Sequence, residues 1–265
     1  MSRRLAVLAG RGRLVPEVLR AAHTQGDTVL ALKLEPTADA AGMPSESAGL
    51  DNLPGLFAAI RTFGATHLVL AGAIDLPGSA RAALSAALGT GAETGDVPLS
   101  NLAPQLSALT GAALLAIPDI VPALAAGSGH LAGPVPTPAD EASLRAALVA
   151  ARGVGALDLG QSVILMGLRP VAAEDVAGTD ALLQSMVALR ALGRVSGRLT
   201  LGKAMKPHQP RLVDLPVIGP ETIAGARRAG VALIALDAQN TLIVERAATL
   251  AAATEAGITV WGGDV

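Results

Sequence analysis

Along the first half of the chain, short apolar runs alternate with longer stretches of helical character. Leu5–Ala9 reads as a buried strand and ends in Gly10-Arg11-Gly12. Pro16 suits the first turn of a helix running to about His23, where a missing N–H has no partner to lose. Thr28–Lys33 reads as a second strand, Leu53–Phe63 as a helix, and His67–Ala71 as a third strand that runs into Gly72. A helix over 98–110 and a strand over 112–117 complete this half. Strand–helix alternation with glycine at the strand ends predicts a Rossmann-like domain with a parallel sheet.

Residues 127–138 hold three glycines and three prolines, the densest turn text in the chain. They place a domain boundary, with an N-terminal α/β domain over 1–132 and a C-terminal mixed α/β domain over 133–265. Ala139–Val154 then reads as an amphipathic helix with Asp140 and Glu141 in its first turn, where acids complement the helix dipole. Ser162–Met166 and Pro170–Glu174 suit two strands joined by Gly167-Leu168-Arg169. Thr179 is expected to N-cap a helix reaching about Leu192. Leu199–Lys203, Ala232–Leu236, Thr241–Val244 and Ile258–Trp261 are further strands. Helices are expected at Pro220–Ala229 and near Ala247–Glu255.

Composition narrows the chemistry. Cysteine is absent, which excludes disulfides and thiolate metal sites and fits a reducing cytosol. Two Phe, one Trp and no Tyr leave few rings for a nucleotide base to stack on. A net charge of −2 gives no general attraction to nucleic acid. The apolar run at Leu5–Ala9 is too short for a signal-peptide core. The apolar stretch 111–127 is interrupted by Pro118, Asp119 and Pro122, so it does not predict a membrane span.

Charge is distributed unevenly in one place. Between Asp180 and Asp214 there is no acidic residue but there are six basic ones: Arg190, Arg194, Arg198, Lys203, Lys206 and Arg211. Cations neutralise phosphate oxygens, and carboxylates hold Mg²⁺ or position water, so the bracket suits a metal-assisted phosphate site. A solvated basic face is the plainer account of such a run. Asp214 is the leading catalytic candidate, because Pro216 and Gly219-Pro220 brace the connection that carries it. Lys203 and Lys206 are the expected phosphate contacts. Asp214, Asp180 and Glu174 are the expected oxygen ligands of Mg²⁺ or another divalent cation. Gly10 and Gly12, at a strand-to-helix turn, are expected to lie near a phosphate, with Arg11 and Arg13 beside them. A full dinucleotide fingerprint would need a third glycine at residue 15, where Val15 stands.

The motifs Leu157-Asp158-Leu159-Gly160-Gln161, Gly178-Thr179-Asp180-Ala181, Lys203 through Gln209, and Val213-Asp214-Leu215-Pro216-Val217-Ile218-Gly219 resemble the UDP-2,3-diacylglucosamine pyrophosphatases of the LpxI type. Looser matches occur at Leu8-Ala9-Gly10-Arg11-Gly12, Leu70-Ala71-Gly72 and Gly95-Asp96. The resemblance implies a two-domain cytoplasmic hydrolase of lipid A biosynthesis. It would split UDP-2,3-diacylglucosamine into UMP and 2,3-diacylglucosamine 1-phosphate, using Mg²⁺ or another divalent cation. It also implies that the family's essential aspartate falls on Asp214, and that Thr179, Gln209 and Arg211 sit in substrate-binding text. Peripheral contact with the inner membrane follows from a diacylated substrate, and a homo-oligomer is compatible with it. Ala177 and Leu212 stand where the family pattern carries a glutamate and an arginine. These departures motivate a rival reading, a non-catalytic member that binds a lipid sugar phosphate or nucleotide sugar.

Overall fold

The computed structural model describes residues 2–74, 107–207, 211–212 and 215–264. Asp214, Gln209, His208 and the Gly95-Asp96 text lie outside them. The described chain divides into two compact units. One holds the chain up to Pro122 together with Arg211 and Leu212; the other holds Ala123 through Pro207 and Leu215 onward. The division falls at Pro122/Ala123 rather than at 132/133.

In the first unit, β1 (Arg4–Ala9), β2 (Thr28–Lys33), β3 (Ser45–Ser47), β4 (His67–Ala71) and β5 (Ala113–Leu114) form one sheet in the order β3-β2-β1-β4-β5. All its pairings are parallel, as expected for a Rossmann-like domain. Strand β1 is central and buried on both faces: Leu5 through Ala9 are inaccessible to solvent. Ala6 and Leu8 join Leu30, Leu32, Leu68 and Leu70 beneath Leu53, Leu56 and Ile60 of helix α2 (Leu53–Phe63). Helix α1 (Leu14–Thr24) packs on β1, β2 and β4 through Val15, Val18, Leu19 and Ala22. Of the helix expected over 98–110, the described part, 107–110, is helical. The strand expected over 112–117 is only β5, because Pro118 starts a short helix, α3 (Ile117–Ile120).

The second unit is built on a mixed six-stranded sheet. Its strands are β6 (Gly129–Ala132), β7 (Ser162–Met166), β8 (Arg169–Ala173), β9 (Leu199–Lys203), β11 (Val231–Asp237) and β13 (Thr259–Gly263). The order is β6-β13-β11-β9-β7-β8. The central three run parallel, and the outer strands are antiparallel to their neighbours. β10 (Val217–Ile218) and β12 (Leu242–Ile243) pair separately. Helix α4 (Pro138–Ala156) covers one face: Leu144, Ala147, Leu148 and Ala151 meet Val163, Leu165, Leu233 and Ala235. The other face is covered by α5 (Gly178–Ala191), α6 (Pro220–Ala229) and α7 (Arg246–Glu255), through residues such as Leu183, Met186, Ile223 and Ala253.

The turn-rich stretch read as a joint contains β6, which pairs with β13 and so belongs to the second sheet. One of its glycines serves a close approach of the backbone. At Gly133, with φ +75°, a Cβ would lie 2.0 Å from the Ile258 carbonyl oxygen.

Candidate functional site

In α/β sheets, ligands bind outside the carboxyl ends of parallel strands. In the second unit that edge gathers several candidate residues. β9 ends on Lys203 and β11 on Asp237, while β7 starts there with Ser162 because it runs the other way. Glu174 follows β8 at the same edge, one residue after Ala173, whose partner in β7 is Val163. Thr179 lies in the first turn of α5.

Three predicted residues meet directly. The Lys203 ammonium donates to the Thr179 hydroxyl at 2.6 Å, and that hydroxyl donates to Glu174 Oε2 at 3.0 Å. The Ser162 hydroxyl lies 3.2 Å from Thr179 Oγ1. With its proton directed to Glu174, Thr179 Oγ1 accepts from both Lys203 and Ser162. A hydroxyl has one donor and two acceptor positions, so all three are used. Lys203 and Ser162 are buried, and Glu174 and Thr179 are half-buried. The arrangement is an ion pair bridged by a hydroxyl: ammonium, oxygen, carboxylate. It holds a positive charge at the sheet edge without placing it against the carboxylate.

Thr179 was expected to cap the helix and does not. The cap residue is Ala177, in helical conformation, and the turn before it is closed by Asp175, whose Oδ1 accepts the Ala177 N–H at 2.8 Å. This frees the Thr179 side chain for Lys203.

Lys206 forms an ion pair with Asp158 across the edge. Asp158 has φ +56° and follows the C-terminal end of α4. Gly155 lets the lysine backbone pass closely; a Cβ there would lie 3.2 Å from Lys206 Cα. Gly160 does the same for the Glu174 backbone, where a Cβ would come within 2.6 Å of the carbonyl oxygen. The Leu157–Gln161 motif therefore organises the edge on which Glu174 and Lys206 sit. Leu157, Leu159 and Val176, in the loops of this edge, are exposed.

Other predicted residues lie elsewhere. Asp180 is exposed and lines a 370 Å³ groove between α5 and α6 with Gln184, Glu221 and Arg228. Among the described residues, no three acidic or imidazole groups cluster as a cation site. Gly10 and Gly12 follow β1 in the first unit. There the Gly10 N–H donates to the Ala71 carbonyl and the Arg11 N–H to the Ala73 carbonyl. A Cβ on Gly10 would lie 2.4 Å from the Ala73 oxygen. These two N–H groups thus tie the turn after β1 to the end of β4 and the residues after it. Arg211 is exposed, and Leu212 packs against the core of the first unit. The apolar stretches 111–126 and 163–172 supply ordinary core: Ala112, Ile120, Val163, Ile164 and Leu165 are buried.

Ser162 and Asp237 were not singled out from the sequence. The signal for Asp237 was present: an acid ending an apolar strand that lies in a parallel sheet.

The family model described as LpxI C-terminal domain matches residues 127–261, and the LpxI N-terminal domain matches residues 4–87. A protein of Caulobacter vibrioides, named UDP-2,3-diacylglucosamine pyrophosphatase LpxI, is 31% identical over 274 residues. The match covers 99% of this chain and 98% of that protein. With both domain models matching in order and a relative aligned over nearly its full length, the chain belongs to the LpxI family.

Proposed function

We propose that this protein hydrolyses the phosphoanhydride of UDP-2,3-diacylglucosamine, giving UMP and 2,3-diacylglucosamine 1-phosphate for lipid A biosynthesis. The reading rests on the full-length similarity to a relative named for that activity. One structural observation carries it: a buried lysine held by a hydroxyl at the carboxyl edge of the second sheet.

Lys203 is placed to neutralise charge on the phosphoryl oxygens. Thr179 takes one of its three ammonium protons and fixes its direction. Lys206, paired with Asp158, supplies a second positive charge a few residues on. Such donors are worth about 3–4 kcal/mol each in a water-excluded site. Asp214 orients the attacking water or binds the cation. A divalent cation fits the donors: Mg²⁺ commonly takes only one or two protein carboxylates, completing its shell with phosphates and water. Glu174 gives Oε2 to Thr179 and keeps Oε1 for such a role. When bound, the cation supplies charge neutralisation on the phosphates. Exposed Leu157, Leu159 and Val176 offer apolar surface at the same edge, suited to the acyl chains and to peripheral contact with the inner membrane. No helix among the described residues is long and apolar enough to cross a membrane.

Purified protein supplied with Mg²⁺ and UDP-2,3-diacylglucosamine should release UMP. Chelation of the cation and Asp214→Ala should each abolish the release. UMP formation that continues in Asp214→Ala would remove Asp214 from the chemistry.

A further inference from the structure

Asp237 ends β11 and is only 2% exposed. Its carboxylate accepts the Met205 backbone N–H at 3.3 Å through Oδ2, and the Asn240 side-chain amide at 2.9 Å through Oδ1. Among the described residues, no cation pairs with it. Buried carboxylates are ordinarily paired, because removing a charge from water is expensive. Two neutral donors would be served at lower desolvation cost by a neutral acceptor. The position therefore calls for more than a structural turn.

Its place in the sheet indicates what that is. Leu236 of β11 pairs with Lys203 of β9. Side chains alternate along a strand, so Asp237 lies on the face of Leu233 and Ala235, toward α4. Lys203 reaches Thr179 on the α5 face. The two residues thus sit at one edge but act on opposite sides of the sheet. What joins them is the chain leaving β9: Met205, whose N–H Asp237 holds, lies between Lys203 and Lys206.

We propose that Asp237 is a positioning residue for phosphoanhydride hydrolysis. By capturing the Met205 N–H, its carboxylate fixes the path of Lys203–Lys206, so that both ammonium groups meet the substrate phosphates together. This rests on the reading in which those two lysines contact phosphate.

The test is a pair of substitutions in the full-length protein. Asp237→Ala removes both acceptor oxygens and leaves the Met205 N–H without its partner. It should lower kcat by about tenfold or more while KM moves by less than about threefold. Asp237→Asn keeps one oxygen for Met205, and the Asn240 amide turns over so that its own oxygen accepts from the new amide. It should keep most of kcat. A purely structural Asp237 would lower the melting temperature of Asp237→Ala and leave kcat unchanged below melting, which overturns the proposal. Loss of kcat in Asp237→Asn also overturns it, because the charge rather than the acceptor would then be required at 237. Amide exchange at Met205 gives a readout independent of turnover. It should quicken in Asp237→Ala and stay near the wild-type rate in Asp237→Asn; an unchanged rate in Asp237→Ala refutes the anchoring contact. If wild type releases no UMP, the hydrolase reading fails by itself, and a Met205 amide unchanged in Asp237→Ala shows that the positioning fails too.

Discussion

At the scale of single residues, Thr179 links the charges of the candidate site. Its hydroxyl receives Lys203 and gives its proton to Glu174, with Ser162 completing the set. Valine has the same shape without the hydroxyl. Thr179→Val should leave a buried ammonium and a half-buried carboxylate each short of a partner, at about 1–3 kcal/mol. The expected outcome is a lower denaturation midpoint together with a fall in UMP release. Thr179→Ser keeps the oxygen and should restore both. A valine variant with unchanged activity would show that the direction of Lys203 does not matter to the reaction. Residue type and position made Glu174 a candidate cation ligand and Lys203 a candidate phosphate contact, while Thr179 entered as a binding residue only through the family resemblance. Their mutual contacts were not legible, because they depend on β7 and β9 running antiparallel and on which residue begins α5. Thr179 looked like a cap because hydroxyls favour that position; Asp175 closes the turn in its place.

At the scale of elements, helix α4 carries its own start signal. Thr137 and Asp140 form a reciprocal capping box: the Asp140 N–H donates to Thr137 Oγ1 at 3.2 Å, and the Thr137 N–H to Asp140 Oδ2 at 3.1 Å. Arg198 adds an ion pair to Asp140 at 2.9 Å. Burial alone would raise the Asp140 pKa. The Thr137 hydrogen bonds and the Arg198 guanidinium outweigh it and hold the carboxyl below its ordinary range. A carboxylate with a depressed folded pKa contributes stability that is complete above its unfolded value. That stability is lost as pH falls through the folded value. The stability gap between wild type and Asp140→Asn should therefore be widest near neutrality and shrink below about pH 4. Thr137→Ala should cost about 1 kcal/mol in chemical denaturation. A gap that widens on acidification would refute the assignment.

The long elements were legible because period and caps agree: α2, α6, β4, β7 and β9 fall on the expected residues. The short strands were not. β3 is Ser45–Ser47, polar throughout, and exists because it lies along β2. β6 sits in glycine- and proline-rich text and owes its conformation to β13. Sheet partners, rather than local preference, make both.

At the scale of the whole molecule, the chain leaves the first unit at Pro122 and returns to it with Arg211 and Leu212. A sequence reading that cuts a chain once has no means of seeing such a return. Leu212 makes it visible: it packs against the core of α2 and the first sheet. It gives the returning segment an apolar anchor. The sequence puts Asp214 two residues beyond that anchor. Leu212→Ala should weaken the first unit by about 1–2 kcal/mol, since the side chain is only half-buried. Hydrogen exchange provides the map. Protection should fall in β1, β2 and β4, while β9, β11 and β13, whose core is separate, keep theirs. Turnover should fall as well, at temperatures where the protein is fully folded, because the segment carrying Asp214 has lost its hold. Uniform loss of protection across both units would mean that Leu212 supports the molecule as one body. Unchanged turnover would mean that Asp214 does not depend on this anchor.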